Sequence, residues 1–178
     1  MIEGEDNLIH AAKGGEAEAF GKLYDDYQPK IYRFVLLKVT HREEAEDLTH
    51  QVFMNAWQKI SSYEHRGFPF SSWLYQIARN TVIDHYRTKR QTTSLDEMDP
   101  DDIIFAEHSH IDLDLKLQLV GVQKELRTLK QDHQDVILMR FVEELSIKET
   151  AKALKRSEGA VKLLQHRAMN ELRKRLTK

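Results

Sequence analysis

The segment from Phe70 to Arg90 constrains the fold strongly, because its apolar side chains recur three and four residues apart. They are Trp73, Leu74, Ile77, Ala78, Thr81 and Val82. This spacing is typical of an amphipathic helix with one face in a core. The charged residues from Arg79 onward are four basic and one acidic, a net of +3: Arg79, Asp84, Arg87, Lys89 and Arg90. Such a helix is either a solvated surface helix or a surface for nucleic acid.

Helical spacing extends over most of the chain, and no segment shows the alternation of a strand. Only seven glycines and three prolines occur among 178 residues. We predict an all-α protein with two small helical domains joined by an acidic flexible linker, the second containing a helix-turn-helix. Pro29 is expected to start a new turn or to kink its helix, because proline removes a backbone donor. Thr40 is expected to cap the next helix.

The net charge of −2 conceals a strong asymmetry along the chain. Residues 1–90 carry −1 (12 basic, 13 acidic), residues 91–115 carry −8 (8 acidic) and residues 116–178 carry +7 (15 basic, 8 acidic). This division indicates a polyanionic partner for the basic parts and an acidic spacer between them. The linker is predicted over residues 91–114. One hypothesis is that its charge mimics nucleic acid and discourages the free protein from binding DNA.

The segment from Ser61 to Ser71 contains three aromatic residues beside the basic helix: Tyr63, Phe68 and Phe70. Aromatic rings in such a loop can stack on unpaired bases, worth about 1–3 kcal/mol per base. Alternatively, Phe68 and Phe70 pack into the core ahead of the helix. Tyr63 and Phe68 are the members expected to be exposed.

Polar side chains also follow one face of the preceding helix. Asp47, Gln51 and Asn55 lie at steps of four, opposite an apolar stripe. This row is either a surface for a partner or simply the solvated side of the helix.

The last third of the chain has the pattern of a helix-turn-helix. Ser146 and Glu149 form a predicted capping box, and Ser157 is predicted to cap a longer basic helix. Lys155 and Arg156 fall in the short turn between the two helices. This arrangement is typical of duplex DNA readers. A plain helical hairpin with solvated charges is the alternative.

Several functional classes have little support in the sequence. No glycine-rich phosphate loop or catalytic cluster is present, so we expect no enzyme activity, no cofactor and no small-molecule substrate. Glu46 and His50 have metal-ligand spacing but lack a third ligand, and His108 and His110 have no convincing partners, so no metal is expected. There is no cysteine, no long apolar run and no signal peptide. We therefore expect a cytoplasmic protein without membrane insertion.

Four segments together resemble one family. They are AFGKLYDDYQPKIYRFV, EEAEDLTHQVFMNAW and FSSWLYQIARNTVIDHYRTKR in the first domain, and LSIKETAKALKRSEGAVKLLQHRAMNELRKRL in the second. The chain resembles a bacterial RNA polymerase sigma factor of the extracytoplasmic-function (ECF) group of the sigma-70 family. The resemblance implies a region 2-like domain over 1–90, the linker over 91–114 and a region 4-like domain over 115–178. It also implies core RNA polymerase, promoter DNA and an anti-sigma factor as partners.

The resemblance implies three sets of site residues. Core polymerase would be bound by Asp47, His50, Gln51, Met54 and Asn55. The −10 element would be melted, and its non-template strand held, by Tyr63, Phe68, Phe70, Trp73, Arg79, Asn80, Arg87, Lys89 and Arg90. The −35 duplex would be read by Lys155, Arg156, Ser157, Glu158, Gly159, Lys162, Gln165, His166 and Arg167.

The chain departs from the family pattern at two places that matter for recognition. His50-Gln51 stands where the family usually has glutamine followed by an acidic residue. Leu163 and Leu164 replace polar residues expected at DNA, so the −35 motif differs or the contacts shift along the helix. A helix-turn-helix repressor or activator is the remaining alternative, although a reader of duplex DNA alone would not need the aromatic-basic segment.

Overall fold

A computed structural model describes residues 4–39, 41–64, 67–92 and 113–177 of the chain. Within these residues all regular structure is helical, as predicted. The helices are α1 (Glu5–Lys13), α2 (Ala17–Leu36), α3 (Arg42–Lys59), α4 (Phe70–Thr92), α5 (Leu113–Thr128), α6 (Gln131–Ile137), α7 (Ile147–Leu154) and α8 (Glu158–Leu176). A 3-10 turn (Ile60–Ser62) follows α3, and a π-helical turn (Leu138–Val142) follows α6. Thr40, most of the acidic linker and the side chains of Lys89 and Arg90 lie outside the described residues. The N-cap of α3 is His41 and not Thr40, so the predicted cap was wrong by one residue.

The first domain packs α1 to α4 around one apolar core. Its fully buried side chains include Leu23, Ile31, Phe34, Val52, Leu74 and Val82. Helix α2 continues through Pro29, which lies on the exposed side between the buried Tyr27 and Ile31. Packing on both sides of the proline thus holds the helix despite the lost backbone donor, and Pro29 does not start a separate element.

The second domain packs α5 to α8 around apolar residues that belong to the same buried cluster as those of the first domain. Its buried members include Val136, Leu138, Met139, Val161, Ala168 and Leu172. The predicted capping box is present: the Glu149 amide donates to Ser146 Oγ at 3.1 Å, and the Ser146 amide donates to a Glu149 carboxylate oxygen at 2.7 Å. Ser157 Oγ accepts from the Ala160 amide at 3.2 Å and so caps α8. These caps satisfy amides that have no partner within the helix.

The two domains pack directly against each other. Helix α7 lies against α4, and the π-helical turn lies against α2. The contact includes ion pairs that join Lys38 and Arg79 of the first domain to Asp135 of α6. The hydrophobic spacing of the sequence did not indicate these ion pairs, because the residues that form them are polar.

Candidate nucleic-acid interface

The aromatic residues at the entrance to α4 form a cluster that is more buried than expected. Phe70 is 1% exposed, and Tyr63, expected to be exposed, is only 5% exposed. The Tyr63 ring lies 5.4 Å from the Phe70 ring and 5.1 Å from the Trp73 ring. Burial, with Glu5 and Asp6 nearby, raises the pKa of Tyr63 to about 12. The expectation of an exposed Tyr63 was therefore wrong, and Phe70 packs in the core, because the cluster closes this end of the domain.

Two members of this region remain accessible. Phe68 and Trp73 are half-buried, and both line an open cavity of about 330 Å³. Lys148 and Lys152 of α7 lie over the Phe68 ring, with their ammonium groups 5.4 and 4.8 Å from its centroid. These are cation–π distances. The two lysines were missed from the sequence: their spacing of four indicates a shared helix face but not which element that face contacts.

The basic residues of α4 differ in how strongly they are already bound to carboxylates of the protein. The side chain of Arg79 is 20% exposed and donates from Nε to Asp135 and from Nη2 to Asp132, both at 2.7 Å. Burial lowers the pKa of Arg79, but its attraction to these carboxylates outweighs that effect and raises the pKa above its usual value. Asn80 is exposed, and Arg87 is exposed with Asp84 at 3.2 Å. Of the basic residues predicted on this face, Arg87 is thus exposed and Arg79 is already paired within the protein, while the side chains of Lys89 and Arg90 lie outside the described residues.

The turn between α7 and α8 and the start of α8 are open to solvent. Exposed residues among those predicted to read the −35 duplex are Lys155, Arg156, Ser157, Glu158, Gly159, Lys162, His166 and Arg167. Gln165 is half-buried and accepts from Arg140 Nε at 3.1 Å. Leu163 is 50% exposed, whereas Leu164 is partly buried against the core. The two leucines that depart from the family pattern therefore occupy different environments.

Helix α3 presents the predicted polar row on its outer face. Asp47, His50, Gln51 and Met54 are exposed, and Asn55 is half-buried. Gln51 Nε2 donates to Asn55 Oδ1 at 3.0 Å. Beside this row, His50 and Met54 line an apolar cavity of about 270 Å³, together with Ala17, Phe20, Tyr24, Phe53 and Trp57. The face thus combines hydrogen-bonding groups with an apolar hollow, which suits a protein partner.

Two parts of the chain match family models of known proteins. Residues 23–92 match Sigma-70 region 2, and residues 126–174 match Sigma-70 region 4. The ECF RNA polymerase sigma factor SigX of Bacillus subtilis is 34% identical over 165 residues, covering 89% of this chain and 84% of SigX. The chain belongs to the ECF group of RNA polymerase sigma factors. Proteins of this family bind DNA in promoter-specific transcription initiation by RNA polymerase.

Other relatives and solved structures resemble this sigma factor over most of its length. BldN of Streptomyces coelicolor, an ECF sigma factor, is 36% identical over 169 residues, covering 93% of this chain but only 63% of BldN. CnrH, solved in complex with the cytosolic domain of CnrY, has a TM-score of 0.72 at 23% identity, covering 96% of this chain and 95% of CnrH. RpoE of Bartonella quintana, solved with the anti-sigma factor NepR, has a TM-score of 0.72 at 23% identity, covering 90% and 98%. These structures share the fold of the sigma factor.

Neither a membrane-spanning helix nor a metal site is found in the part of the sigma factor that the structure describes. Each helix there is too short or too polar to cross a lipid bilayer. Among the same residues, no three histidine or acidic side chains are grouped to hold a metal ion. Glu46 instead accepts from Arg42 at 3.0 Å along the surface of α3.

Proposed function

We propose that this sigma factor binds core RNA polymerase through the outer face of α3 and places two DNA-reading domains on a promoter. The region 2-like domain (1–90) would melt the −10 element, and the region 4-like domain (115–178) would read the −35 duplex, with residues 91–114 linking them. The protein would act without catalytic chemistry of its own. The family to which the chain belongs supports this assignment.

The observation that carries the proposal is the division of α4 into two faces. One face is buried with Leu74, Ala78 and Val82, while half-buried Trp73 and exposed Asn80 remain accessible. Extruding a base from a duplex costs a few kcal/mol, which stacking and polar contacts in a pocket can offset. A half-exposed indole beside a cavity is suited to stacking, and the Asn80 amide is suited to hydrogen bonding with a base edge. Phe70 would contribute by supporting Trp73, since their ring centroids are 5.3 Å apart.

Duplex recognition would use the exposed first turn of α8. A helix fits the major groove and reads base edges through side chains near its N-terminus, while basic residues hold phosphates. Lys162 and Arg167 are exposed on α8, and Lys155 and Arg156 lie in the preceding turn. Gln165 would first have to release Arg140, so it is a weaker candidate for a direct contact.

Regulation by an anti-sigma factor is part of the proposal. CnrH was solved with the cytosolic domain of CnrY, and RpoE with the anti-sigma factor NepR. Because this chain shares their fold, a partner of that class is expected, although no residue of the chain identifies it.

In vitro transcription with core RNA polymerase on genomic fragments tests the proposal. A sigma factor gives defined start sites preceded by shared −10 and −35 motifs, and it co-elutes with core polymerase. A repressor or activator that binds duplex DNA alone would give neither result. Absence of any specific start site, with a folded protein and active core polymerase, would overturn the proposed function.

A further inference from the structure

An open apolar cavity of about 570 Å³ lies between α5, the π-helical turn and α8, with the C-terminal end of α2 on one side. Its wall includes Leu126 of α5, Phe141 of the π-helical turn and Met169 of α8. Val122 and Phe141 also line it and are 37% and 51% exposed, although both have large apolar side chains. Exposed apolar residues that meet in one concave surface indicate that another group covers them. We call this cavity the α5 groove.

One polar residue in the wall of the α5 groove indicates what kind of group that is. Gln123 is only 5% exposed, and its Nε2 atom has no acceptor among the described residues. Leaving a buried amide donor without an acceptor is unfavourable. An occupant that brings apolar side chains and a carbonyl oxygen would cover the wall and supply the acceptor. A segment of polypeptide has both groups.

The linker of this chain contains such a segment. Ile103, Ile104 and Phe105 are consecutive apolar residues, whereas residues 93–112 as a whole include seven acidic and no basic residues. We call these three residues the apolar triplet. A stretch with so few apolar side chains does not form a core of its own, so the triplet needs apolar surface elsewhere to leave water. Residues 93–112 lie outside the described ranges, so the structure describes the groove and not this segment.

The C-terminal end of the linker begins close to the α5 groove. Helix α5 follows the linker and begins at Leu113, and its residue Val122 lines the groove. Nine residues separate Leu113 from Val122, which is about 14 Å along a helix. Phe105 stands eight positions before Leu113, and an extended chain of that length spans up to about 26 Å. The apolar triplet can therefore fold back onto the helix that follows it.

The N-terminal end of the linker also begins near the α5 groove. The Tyr86 hydroxyl of α4 donates to the Lys38 carbonyl at 2.8 Å, and the preceding residue, Leu37, lines the groove. Helix α4 ends at Thr92, about 9 Å beyond Tyr86 along the helix. Eleven positions separate Thr92 from Ile103, enough to span about 36 Å. Both ends of the linker therefore allow the apolar triplet to reach the groove.

Charge and tethering favour the linker over a segment of another molecule. Lys124 and Arg173 are exposed, and each directly follows a residue that lines the groove, Gln123 or Leu172. Their charges attract the acidic residues on either side of the apolar triplet. A short tether gives the triplet an effective concentration at the groove of about millimolar order. Even a weak contact would then be formed in most molecules.

We propose that the apolar triplet of the linker docks in the α5 groove, with its side chains against Val122 and Phe141. The inference goes beyond the proposed function and does not depend on it, because it rests on the groove, the composition of the linker and the positions of its two ends. Docking gives the linker a fixed point on the second domain. Only residues 93–102 then connect α4 to that point, which roughly halves the distance that the linker can span.

The reactivity of a single cysteine in the groove tests the proposal on the full chain. The protein has no cysteine, so Val122→Cys provides one thiol, and its rate of reaction with a maleimide reports whether the groove is covered. Adding Ile104→Asp and Phe105→Asp should raise this rate at least about fivefold, because charged side chains do not enter an apolar groove. Leu95→Asp with Met98→Asp adds the same charge to the linker outside the triplet and should leave the rate unchanged. Met54→Cys, beside the other apolar cavity, should not respond to either pair.

A photo-cross-linker at position 105 provides the second readout. Phe105 is replaced by p-benzoyl-phenylalanine, dilute protein is irradiated, and the linked peptides are identified by mass spectrometry. Links should join position 105 to groove residues of the same molecule. Phe141→Ser should lower their yield at least about threefold, the size expected for losing one apolar contact. Leu163→Ser removes an equally exposed apolar side chain from α8 outside the groove and is the matched control.

Each outcome supports or overturns the docking of the triplet. Faster labelling in the triplet variant alone, with cross-links inside one molecule to the groove, supports it. Equal labelling in the triplet variant and its control, in proteins that circular dichroism shows to be folded, would overturn it. Cross-links outside the groove would also overturn it, and links between two molecules would assign the groove to a second copy of the chain. Specific transcription by the wild type is scored separately and decides the proposed function alone.

Discussion

Lys38 and Asp135 form an ion pair between the two domains, with both side chains almost fully buried, although 97 positions separate them in the chain. Arg79 shares the Asp135 carboxylate. Removing one partner of a buried pair leaves the other charge without compensation, which costs about 3–5 kcal/mol. Loss of either partner would therefore disfavour the contact between the domains.

Asp135→Leu should lower the free energy of unfolding by about 3 kcal/mol, because Lys38 then stays buried and unpaired. Adding Lys38→Met should restore part of the loss, because it removes the buried ammonium, while Arg79 keeps its bond to Asp132. Urea denaturation of the single and double variants measures both effects. Asp84→Asn, at an exposed pair on α4, is the control and should change stability by less than about 1 kcal/mol. Equal stability of the single and double variants would contradict the argument.

Asn80→Ala should slow open-complex formation by about tenfold, as expected for losing one polar contact of about 1.4 kcal/mol to the strand. Asn80 is exposed, so the stability of the fold should not change. Permanganate footprinting of the promoter and a core-binding assay measure the two steps separately. Trp73→Ala should show the same defect with some loss of stability, because Trp73 contacts two rings. Weaker core binding in Asn80→Ala would mean that this position does not act on DNA.

Met54→Glu should weaken binding to core polymerase by at least about tenfold. The change puts a charge beside the apolar cavity of α3, and Met54 is 45% exposed, so the fold should tolerate it. Competition against a labelled wild-type protein gives the affinity. Glu18→Gln changes an exposed charge on α2 away from the predicted core-binding residues and serves as the matched control. Unchanged competition by Met54→Glu would remove the α3 face from the polymerase interface.

Leu163→Ser should alter base preference in the −35 element while leaving stability near the wild-type value. An exposed leucine at the groove can contact a thymine methyl, and single contacts of this kind discriminate by about 1–3 kcal/mol. Run-off transcription on promoters with single −35 substitutions measures the preference. Leu164→Ser is the comparison, because its partly buried side chain should affect stability instead. If both variants only lose stability, Leu163 belongs to the core.

Glu171→Gln should flatten the dependence of stability on acid pH. A hydrogen bond from Arg175 at 2.9 Å, and a further one from His133, hold the pKa of Glu171 below its usual value despite partial burial. A lowered folded-state pKa gives stability that is present above the unfolded value of about 4.3 and is lost as pH falls through the folded value. Urea denaturation at neutral pH and near pH 3 should show a wild-type advantage, below about 1 kcal/mol, at neutral pH only. A wild-type advantage in stability near pH 3 would be the opposite of the expected pH dependence and would contradict this argument.

Local patterns in the sequence predicted much of the fold. The capping box of Ser146 and Glu149 depends on residues three apart, and the structure contains it. The polar row of α3 and the exposed turn before α8 follow from helical periodicity, which requires no knowledge of distant contacts. Burial of Tyr63 was mispredicted, because it depends on rings from α4 that close over the loop.

The sequence by itself therefore determined the helices, the N-caps of α7 and α8, the division of charge and the membership of a sigma-factor family. Tertiary structure alone decided that Arg79 faces a carboxylate and that Lys148 and Lys152 lie over Phe68. The physical reason is that hydrophobic spacing records which face of a helix is buried within its own domain. Ion pairs between domains depend on side chains that look solvated in the sequence, so their partners emerge only when the chain is folded.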